Sequence, residues 1–165
     1  MEKTQKNKIA EVLTAIISIF ILKNAYKEKI IIIDENKTKE LKDTKLIISI
    51  SRQHGTGGKE IARSVAEKLG IKFYDKEEIK EFAVENSLIE NKYSNDDLYN
   101  FYLSLDAERD YILKQAETIR MISSKSDCVI VGRSSDYFLK DNPNLIKIFL
   151  YAPIEYRINK VKEMY

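Results

Sequence analysis

Three of the five glycines in this 165-residue chain, Gly55, Gly57 and Gly58, lie within four positions in the stretch SRQHGTGGKEI. The stretch follows the apolar run LIISI and precedes a segment with helical periodicity. Backbone N–H groups in such a strand-to-helix turn can face one anion, and the helix dipole adds partial positive charge. We therefore predict that this segment, called the glycine loop below, binds phosphate. It comprises Gly55, Thr56, Gly57, Gly58, Lys59 and Glu60.

The glycine loop departs from the Walker A pattern, G-x-x-x-x-G-K-[ST]. With Lys59 as the cation of the pattern, a glycine is required at position 53 and a hydroxyl residue at position 60, where the chain has Gln53 and Glu60. The spacing alone therefore leaves two interpretations open, a phosphate site and a plain turn.

Polar residues also follow two other apolar runs. Asp75 follows KFY, and Gly132 and Arg133 follow VIV. Ligands of open parallel sheets bind at the carboxyl ends of the strands, so we expect these residues to converge on the glycine loop. A guanidinium there can grip a phosphate or a carboxylate. The alternatives are that Asp75 caps the helix starting at Lys76 and that Arg133 pairs with Asp136.

Apolar runs of strand length alternate with segments of helical periodicity. Strands are predicted in KIIIID, KLIISIS, IKFYD, DCVIVG and LIKIFLYA. Helices are predicted in KEIARSVAEKLG with Gly70 as its end cap, in KEEIKEFAVENSLI, in residues 96–124 and from Pro153 onward. Uniformly apolar strands that alternate with helices indicate a parallel sheet covered on both faces, an α/β three-layer sandwich.

The composition favours one domain, because 44% hydrophobic and 33% charged residues are enough for one core at this length. The 28 basic and 26 acidic residues form no basic block, so nucleic acid is not expected as a partner. The chain has one cysteine, Cys128, and one histidine, His54. We expect a buried thiol and a solvated turn histidine, with neither a disulfide nor a metal site built from them.

Residues 1–44 are predicted to be an N-terminal helix and strand with a polar linker, and residues 45–165 the main domain. The apolar run VLTAIISIFIL, residues 12–22, has 11 residues, whereas about 20 are needed to span a bilayer. A packed or amphipathic helix is therefore favoured over membrane association or a targeting peptide. We expect a cytoplasmic protein.

Two long stretches resemble the cytidylate kinase-like family, a branch of the P-loop nucleoside monophosphate kinases. They are IISISRQHGTGGKEIARSVAEKLGIKFYDKEEI and CVIVGRSSDYFLKDNPNLIKIFLYAPIEYRINKV, and the similarity covers about residues 45–162. The resemblance implies a P-loop NTPase-like fold, ATP and Mg²⁺ as cofactors, and phosphoryl transfer to CMP or dCMP. Positioning, Mg²⁺ and cations supply most of the catalysis in such reactions.

The resemblance also implies roles for individual residues. The glycine loop would bind the donor phosphates, Arg133 would grip the acceptor monophosphate, and Arg157 would approach the transferring group. The implied catalytic cations are Lys59, Arg133 and Arg157. The implied acceptor-side residues are Asp75, Gly132, Arg133 and Asp136.

Several positions depart from ordinary cytidylate kinases. In a gapless alignment the catalytic lysine falls on Gly58 and the hydroxyl that holds Mg²⁺ falls on Glu60. Lys59 follows one residue later, a rotation of about 100° on a helix. Glu60 is either a Mg²⁺ ligand or a carboxylate favoured by the helix N-terminus. In ordinary cytidylate kinases, an aspartate at the position of Ser134 faces the cytosine. Asp136 is a candidate substitute for that aspartate.

Family members continue after the helix at Pro153 into a lid, a further helix and a last strand, whereas this chain ends at Tyr165. We therefore expect weak nucleotide binding and slow turnover. We also expect KIIIID to cover the sheet edge that the absent strand would leave. The alternatives are a catalytically weak nucleotide-binding or regulatory module and a kinase with another small acceptor.

Overall fold

The computed structural model describes residues 14, 30–33, 45–89 and 105–164, and only the backbone of residues 30–33, 105–108 and 164. The strands are β1 (Ile30–Ile33), β2 (Ile47–Arg52), β3 (Lys72–Tyr74), β4 (Cys128–Val131) and β5 (Leu145–Tyr151). The helices are α1 (Gly58–Leu69), α2 (Lys76–Glu85), α3 (Leu105–Lys125), α4 (Ser135–Phe138) and α5 (Ile154–Met164).

The five strands form one sheet in the order β1-β5-β2-β4-β3. Strands β2 to β5 are parallel, and Ile47 at the start of β2 lies beside both Cys128 of β4 and Leu145 of β5. The predicted α/β fold with a parallel sheet is confirmed, and it is consistent with a P-loop NTPase-like fold.

Helices cover both faces of the sheet because successive residues of a buried strand point to opposite sides. Ile48 and Ile50 pack in one cluster with Val65 of α1. Ile47 packs in the other cluster with side chains that include Ile119 of α3. All five are fully buried or nearly so, and they join β2 to both helical layers. The three-layer arrangement is therefore confirmed.

The isoleucine run near the N-terminus forms β1 at the edge of the sheet. It pairs with β5 from Ile30 opposite Tyr151 to Ile33 opposite Ile148. The expectation that this segment covers the sheet edge is confirmed. Its direction is antiparallel, unlike the other strands, since a uniform isoleucine run carries no signal for direction.

Several predicted element boundaries differ from the structure. The helix predicted from residue 96 is described from Leu105 onward, and residues 90–104 lie outside the described residues. The last helix begins at Ile154, one residue after Pro153. Gly70 ends α1 in a left-handed conformation, as predicted. Helix α4 was missed because four residues carry no measurable periodicity.

The predicted N-terminal helix lies outside the described residues, apart from Thr14, which is helical. Among the residues described, no helix has both the length and the apolar character needed to cross a bilayer.

Cys128 is fully buried on β4, as predicted. Burial raises the pKa of its thiol to about 12, and the Asp127 carboxylate contributes in the same direction. The thiol therefore stays protonated at neutral pH and packs as a small apolar side chain. His54 is exposed in a turn, also as predicted.

The pairing of β1 with β5 predicts a sensitivity to proline. In an antiparallel pair, alternate residues hydrogen-bond to the partner strand, so Ile31→Pro combined with Ile32→Pro removes at least one ladder hydrogen bond. We expect the free energy of unfolding to fall by about 0.5–1.5 kcal/mol per lost bond in urea titrations. Size-exclusion chromatography should show increased self-association through the uncovered β5 edge.

The matched control combines Ile31→Val with Ile32→Val, which keeps both N–H groups. Equal stability and equal elution of the proline and valine variants would contradict the pairing.

Candidate functional site

The glycine loop joins the end of β2 to the first turn of α1. Gly57 is the N-cap of α1 with a φ of 70°, and it has no side chain to cap the helix. The N–H of Ile61 donates to the Gly57 carbonyl at 3.1 Å, but no described group accepts a hydrogen bond from the N–H groups of residues 55–60. These donors are therefore available to an anion.

Helix α5 packs against the glycine loop through Arg157. Gly55 has a φ of 80°, and a Cβ there would lie 2.6 Å from the Arg157 carbonyl oxygen, so only glycine fits. The Arg157 guanidinium donates to the carbonyls of Ala152 (3.1 Å) and His54 (3.5 Å). Thr56 is buried and donates to the Gln53 carbonyl at 2.9 Å. The structure thus places Arg157 at the base of the loop, where it fixes the loop backbone.

Asp75 lies at the end of β3 and caps helix α2. Its Oδ1 accepts hydrogen bonds from the N–H groups of Glu77 (2.8 Å) and Glu78 (3.4 Å). In return, Glu78 Oε2 accepts from the Asp75 N–H at 3.1 Å, which completes a capping box. The proposed alternative, that Asp75 caps this helix, is confirmed.

The second oxygen of Asp75 pairs with Lys59 of the glycine loop. Asp75 Oδ2 is buried and is in close ion-pair contact with the Lys59 ammonium. Lys59 also contacts Glu77 at 3.4 Å. The lysine of the loop therefore bridges the loop to α2, and its charge is shared by two carboxylates.

The pKa values of this pair follow from these contacts. Burial alone would raise the pKa of Asp75, but hydrogen bonds from Glu78, Lys59 and Glu77 outweigh burial and hold it well below its ordinary value. The bond to Asp75 raises the pKa of Lys59. Both groups are therefore charged at neutral pH.

Carboxylates at two places are candidate ligands for a metal ion. Oxygens of Asp75, Glu77 and Glu78 lie within 4.8 Å of one another, but they are engaged by the α2 N-terminus and by Lys59 and Arg63. Glu60 differs, because its Oε2 lies 3.5 Å from the position of a Cβ on Gly57, beside the loop. A carboxylate beside a phosphate site is the type of ligand that Mg²⁺ prefers.

The chain turns sharply after β4. Gly132, Arg133 and Ser134 have φ values of 66°, 57° and 55°, which is one turn in the left-handed region. For the two non-glycine residues this conformation costs roughly 1–2 kcal/mol each. The turn is held by Ser135, whose N–H and hydroxyl donate to the Gly132 carbonyl at 3.1 and 2.8 Å, and by Gln115, which donates to the Arg133 carbonyl at 3.2 Å.

This strained turn places Arg133 on a cleft between α2 and α3. The cleft has an apolar floor that includes Ile79 and Ala83, and Lys114 and Arg133 lie among its lining residues. The Arg133 guanidinium donates to the Tyr111 hydroxyl at 3.4 Å. No ion pair joins it to Asp136 within the described part of the chain, so the alternative of an Arg133–Asp136 pair is wrong.

Sequence reasoning missed Arg52, the last residue of β2. Its side chain runs past two glycines: a Cβ on Gly58 would lie 2.7 Å from Arg52 Cγ, and a Cβ on Gly132 would lie 2.1 Å from Arg52 Nη1. Although the side chain is exposed overall, partial burial lowers the pKa of its guanidinium, Arg133 lowers it further, and Asp75 opposes both. The position of Arg52 at the carboxyl end of a predicted strand could have identified it as a candidate site residue.

The parallel strands bring these groups to one edge of the sheet. The glycine loop, Asp75 and Arg133 follow β2, β3 and β4 at their carboxyl ends, as predicted from strand order. Asp136, half-buried in the first turn of α4, follows the same turn as Arg133. The fold and the loop together define a parallel α/β protein with a glycine-rich strand-to-helix loop at this edge.

The comparisons with known proteins agree with this class. The chain belongs to the cytidylate kinase-like family, whose sequence profile matches residues 47–165, so the resemblance seen in the sequence is confirmed. Among curated proteins, none matches the chain.

The chain is also similar to a solved structure, that of an uncharacterized protein from Eubacterium ventriosum ATCC 27560. The two share 30% sequence identity over 73% of this chain, with a TM-score of 0.56. This chain spans 65% of the length of that protein's chain.

The two contacts of Asp75 predict a pH-dependent difference between two variants. Asp75→Asn keeps an oxygen for the helix cap but loses the charge that pairs with Lys59, whereas Asp75→Ala loses both. The folded pKa of Asp75 lies below its unfolded value of about 3.9, so the pair stabilises the fold above that pH, and this stability is lost as the pH falls further.

We therefore expect Asp75→Asn to be less stable than the wild type at pH 7, in urea titrations, with a deficit that begins to shrink below the unfolded pKa of about 3.9 and disappears only below the folded pKa of Asp75. Asp75→Ala should be lower than Asp75→Asn by about 0.5–2 kcal/mol at every pH. A deficit of Asp75→Asn that persists undiminished at pH 3 would show that the ion pair is not its cause.

Proposed function

We propose that the protein is a cytidylate kinase-like phosphotransferase that binds ATP at the glycine loop and transfers its terminal phosphoryl group to CMP or dCMP. The observation that carries the proposal is the set of N–H groups of residues 55–60, for which the described residues provide no acceptor. They lie at the carboxyl edge of a parallel sheet, beside the turn that carries Arg133. Membership of the family supports the reaction class.

The donor phosphates fit the loop because its N–H groups and the α1 dipole favour an anion there. Mg²⁺ fits beside it, with Glu60 as its protein ligand, directly or through water. Bound Mg²⁺ would neutralise charge that develops on the phosphate oxygens. Lys59, held by Asp75, places a further positive charge between the loop and the acceptor side.

The acceptor fits the cleft between α2 and α3. Its apolar floor suits the flat face of a base, and Arg133 suits the monophosphate, because a guanidinium can donate two parallel hydrogen bonds to it. We propose that Asp75 and Gly132 border the acceptor phosphate and that Asp136 faces the base, in the role of the aspartate for which this chain has Ser134.

The transfer itself requires orientation more than covalent chemistry. An oxygen of the acceptor monophosphate forms the new P–O bond while the bond from phosphorus to the ADP oxygen breaks. ADP leaves with that electron pair, and a dianionic acceptor phosphate needs no base to remove a proton. Arg157 fixes the position of the glycine loop relative to the acceptor side through its contacts with the loop backbone.

The direct test is calorimetric titration with ATP, CMP, dCMP, AMP, UMP and shikimate, together with a coupled assay of ADP release. We expect binding of ATP and preferential binding of CMP or dCMP, with ADP release that depends on the acceptor. Binding of nucleotide without any ADP release would favour the alternative, a regulatory nucleotide-binding module. Binding of shikimate in preference to every monophosphate would contradict the proposed acceptor class.

A matched pair of substitutions tests the loop. Asn and Asp are similar in shape and both tolerate the left-handed conformation of Gly57, but only Gly57→Asp adds a negative charge beside the N–H groups. We expect Gly57→Asp to weaken ATP binding at least about tenfold relative to Gly57→Asn, because like charges repel at this distance. Equal affinity of the two variants would place the donor phosphates elsewhere.

A further inference from the structure

Arg52 occupies a space that two glycines keep open. Gly58 opens α1 and Gly132 follows β4, and the Arg52 side chain fills the room that their missing Cβ atoms leave. A Cβ atom at position 58 would lie 2.7 Å from Cγ in the stem of Arg52. A Cβ atom at position 132 would lie 2.1 Å from Nη1 of its guanidinium. The guanidinium is therefore positioned between the glycine loop and the turn of Arg133.

The charges around Arg52 do not balance. Arg133 acts on Arg52 as a like charge, and Asp75 as an opposite one. Asp75, however, already pairs with Lys59. Among the described residues, no group accepts a hydrogen bond from the Arg52 guanidinium or forms an ion pair with it. A bound anion would relieve the repulsion between Arg52 and Arg133 and accept hydrogen bonds from the Arg52 guanidinium.

The other cations beside the loop are engaged. Lys59 contacts Asp75 and Glu77, and the Arg157 guanidinium donates to two backbone carbonyls. Arg133 reaches Tyr111 at 3.4 Å. Of these four cations, Arg52 is the one for which the described residues provide neither a hydrogen-bond acceptor nor an ion pair.

We propose that Arg52, rather than Lys59, is the catalytic cation beside the glycine loop, and that it binds the phosphate chain of the donor at the point where the terminal phosphoryl group faces Arg133. Gly58 then admits the Arg52 stem, and Gly132 leaves room for the guanidinium. Its planar group donates to two oxygens at once and stays charged at all pH values of interest. This inference rests on the proposed function and adds the residue that grips the transferring group.

The test uses Arg52→Met, which keeps the apolar stem against Gly58, and Arg52→Lys, which keeps the charge without the planar group. The matched control is Arg120→Met, which removes an exposed arginine near the C-terminal end of α3, at the opposite edge of the sheet. Calorimetry with ATP, CMP and inorganic tripolyphosphate measures binding, and the melting temperature checks folding. Gly58→Ala is a second variant that displaces the Arg52 stem and keeps the arginine.

We expect Arg52→Met to weaken binding of ATP and tripolyphosphate about ten- to a hundredfold, as for the loss of charge-assisted hydrogen bonds. Arg52→Lys should recover part of this loss, Gly58→Ala should reproduce part of it, and Arg120→Met should match the wild type. CMP binding should change less than ATP binding, because Arg133 holds the acceptor.

If Arg52→Met and Arg52→Lys both bind ATP as tightly as the wild type does, the proposed role of Arg52 is wrong, whereas the proposed function still stands. A loss confined to CMP would also overturn the role of Arg52. A wild-type chain that binds tripolyphosphate through Arg52 but no nucleotide would support the anion site and contradict the nucleotide function. A wild-type chain that binds none of the three ligands would overturn both.

Discussion

The parallel pairing of β2 with β4 and β5 is the constraint on which the rest of the structure depends. β2 lies between these strands, and the four residues from Ile47 to Ile50 are buried on both faces. Because the three strands run in the same direction, the segments that follow them emerge at one edge of the sheet. The glycine loop and the turn at Arg133 therefore become neighbours, although residues 61–131 separate them in the chain.

Glycines at this edge are used to admit other groups as well as to turn the chain. Gly55 lets the loop lie on the Arg157 carbonyl, whereas Gly58 and Gly132 make room for the Arg52 side chain. A methyl group at position 55 would clash with the Arg157 backbone and one at position 58 with the Arg52 stem, whereas one at position 132 would meet only the flexible end of Arg52. The loop therefore combines free N–H donors with a closely packed cation, an arrangement that the Walker A pattern achieves with a lysine.

Stability and function share residues at this site. Asp75 uses one oxygen to cap α2 and the other to hold Lys59, so the same carboxylate starts a helix and sets the charge beside the loop. Arg133 is held in a left-handed conformation by hydrogen bonds from Gln115 and Ser135. Such strain persists where the surrounding structure determines the conformation, and it is frequent at binding sites.

The sequence by itself determined the alternation of strands and helices, the parallel sheet, and the residues at its carboxyl edge, because apolar runs, periodicity and glycine positions are local signals. It also carried the family resemblance. It did not determine the direction of β1, the existence of α4, the partner of Lys59 or the position of Arg52. Those features depend on which side chains meet across the sheet edge, and distances of 2–3 Å between residues distant in the chain are decided only when the whole fold is assembled.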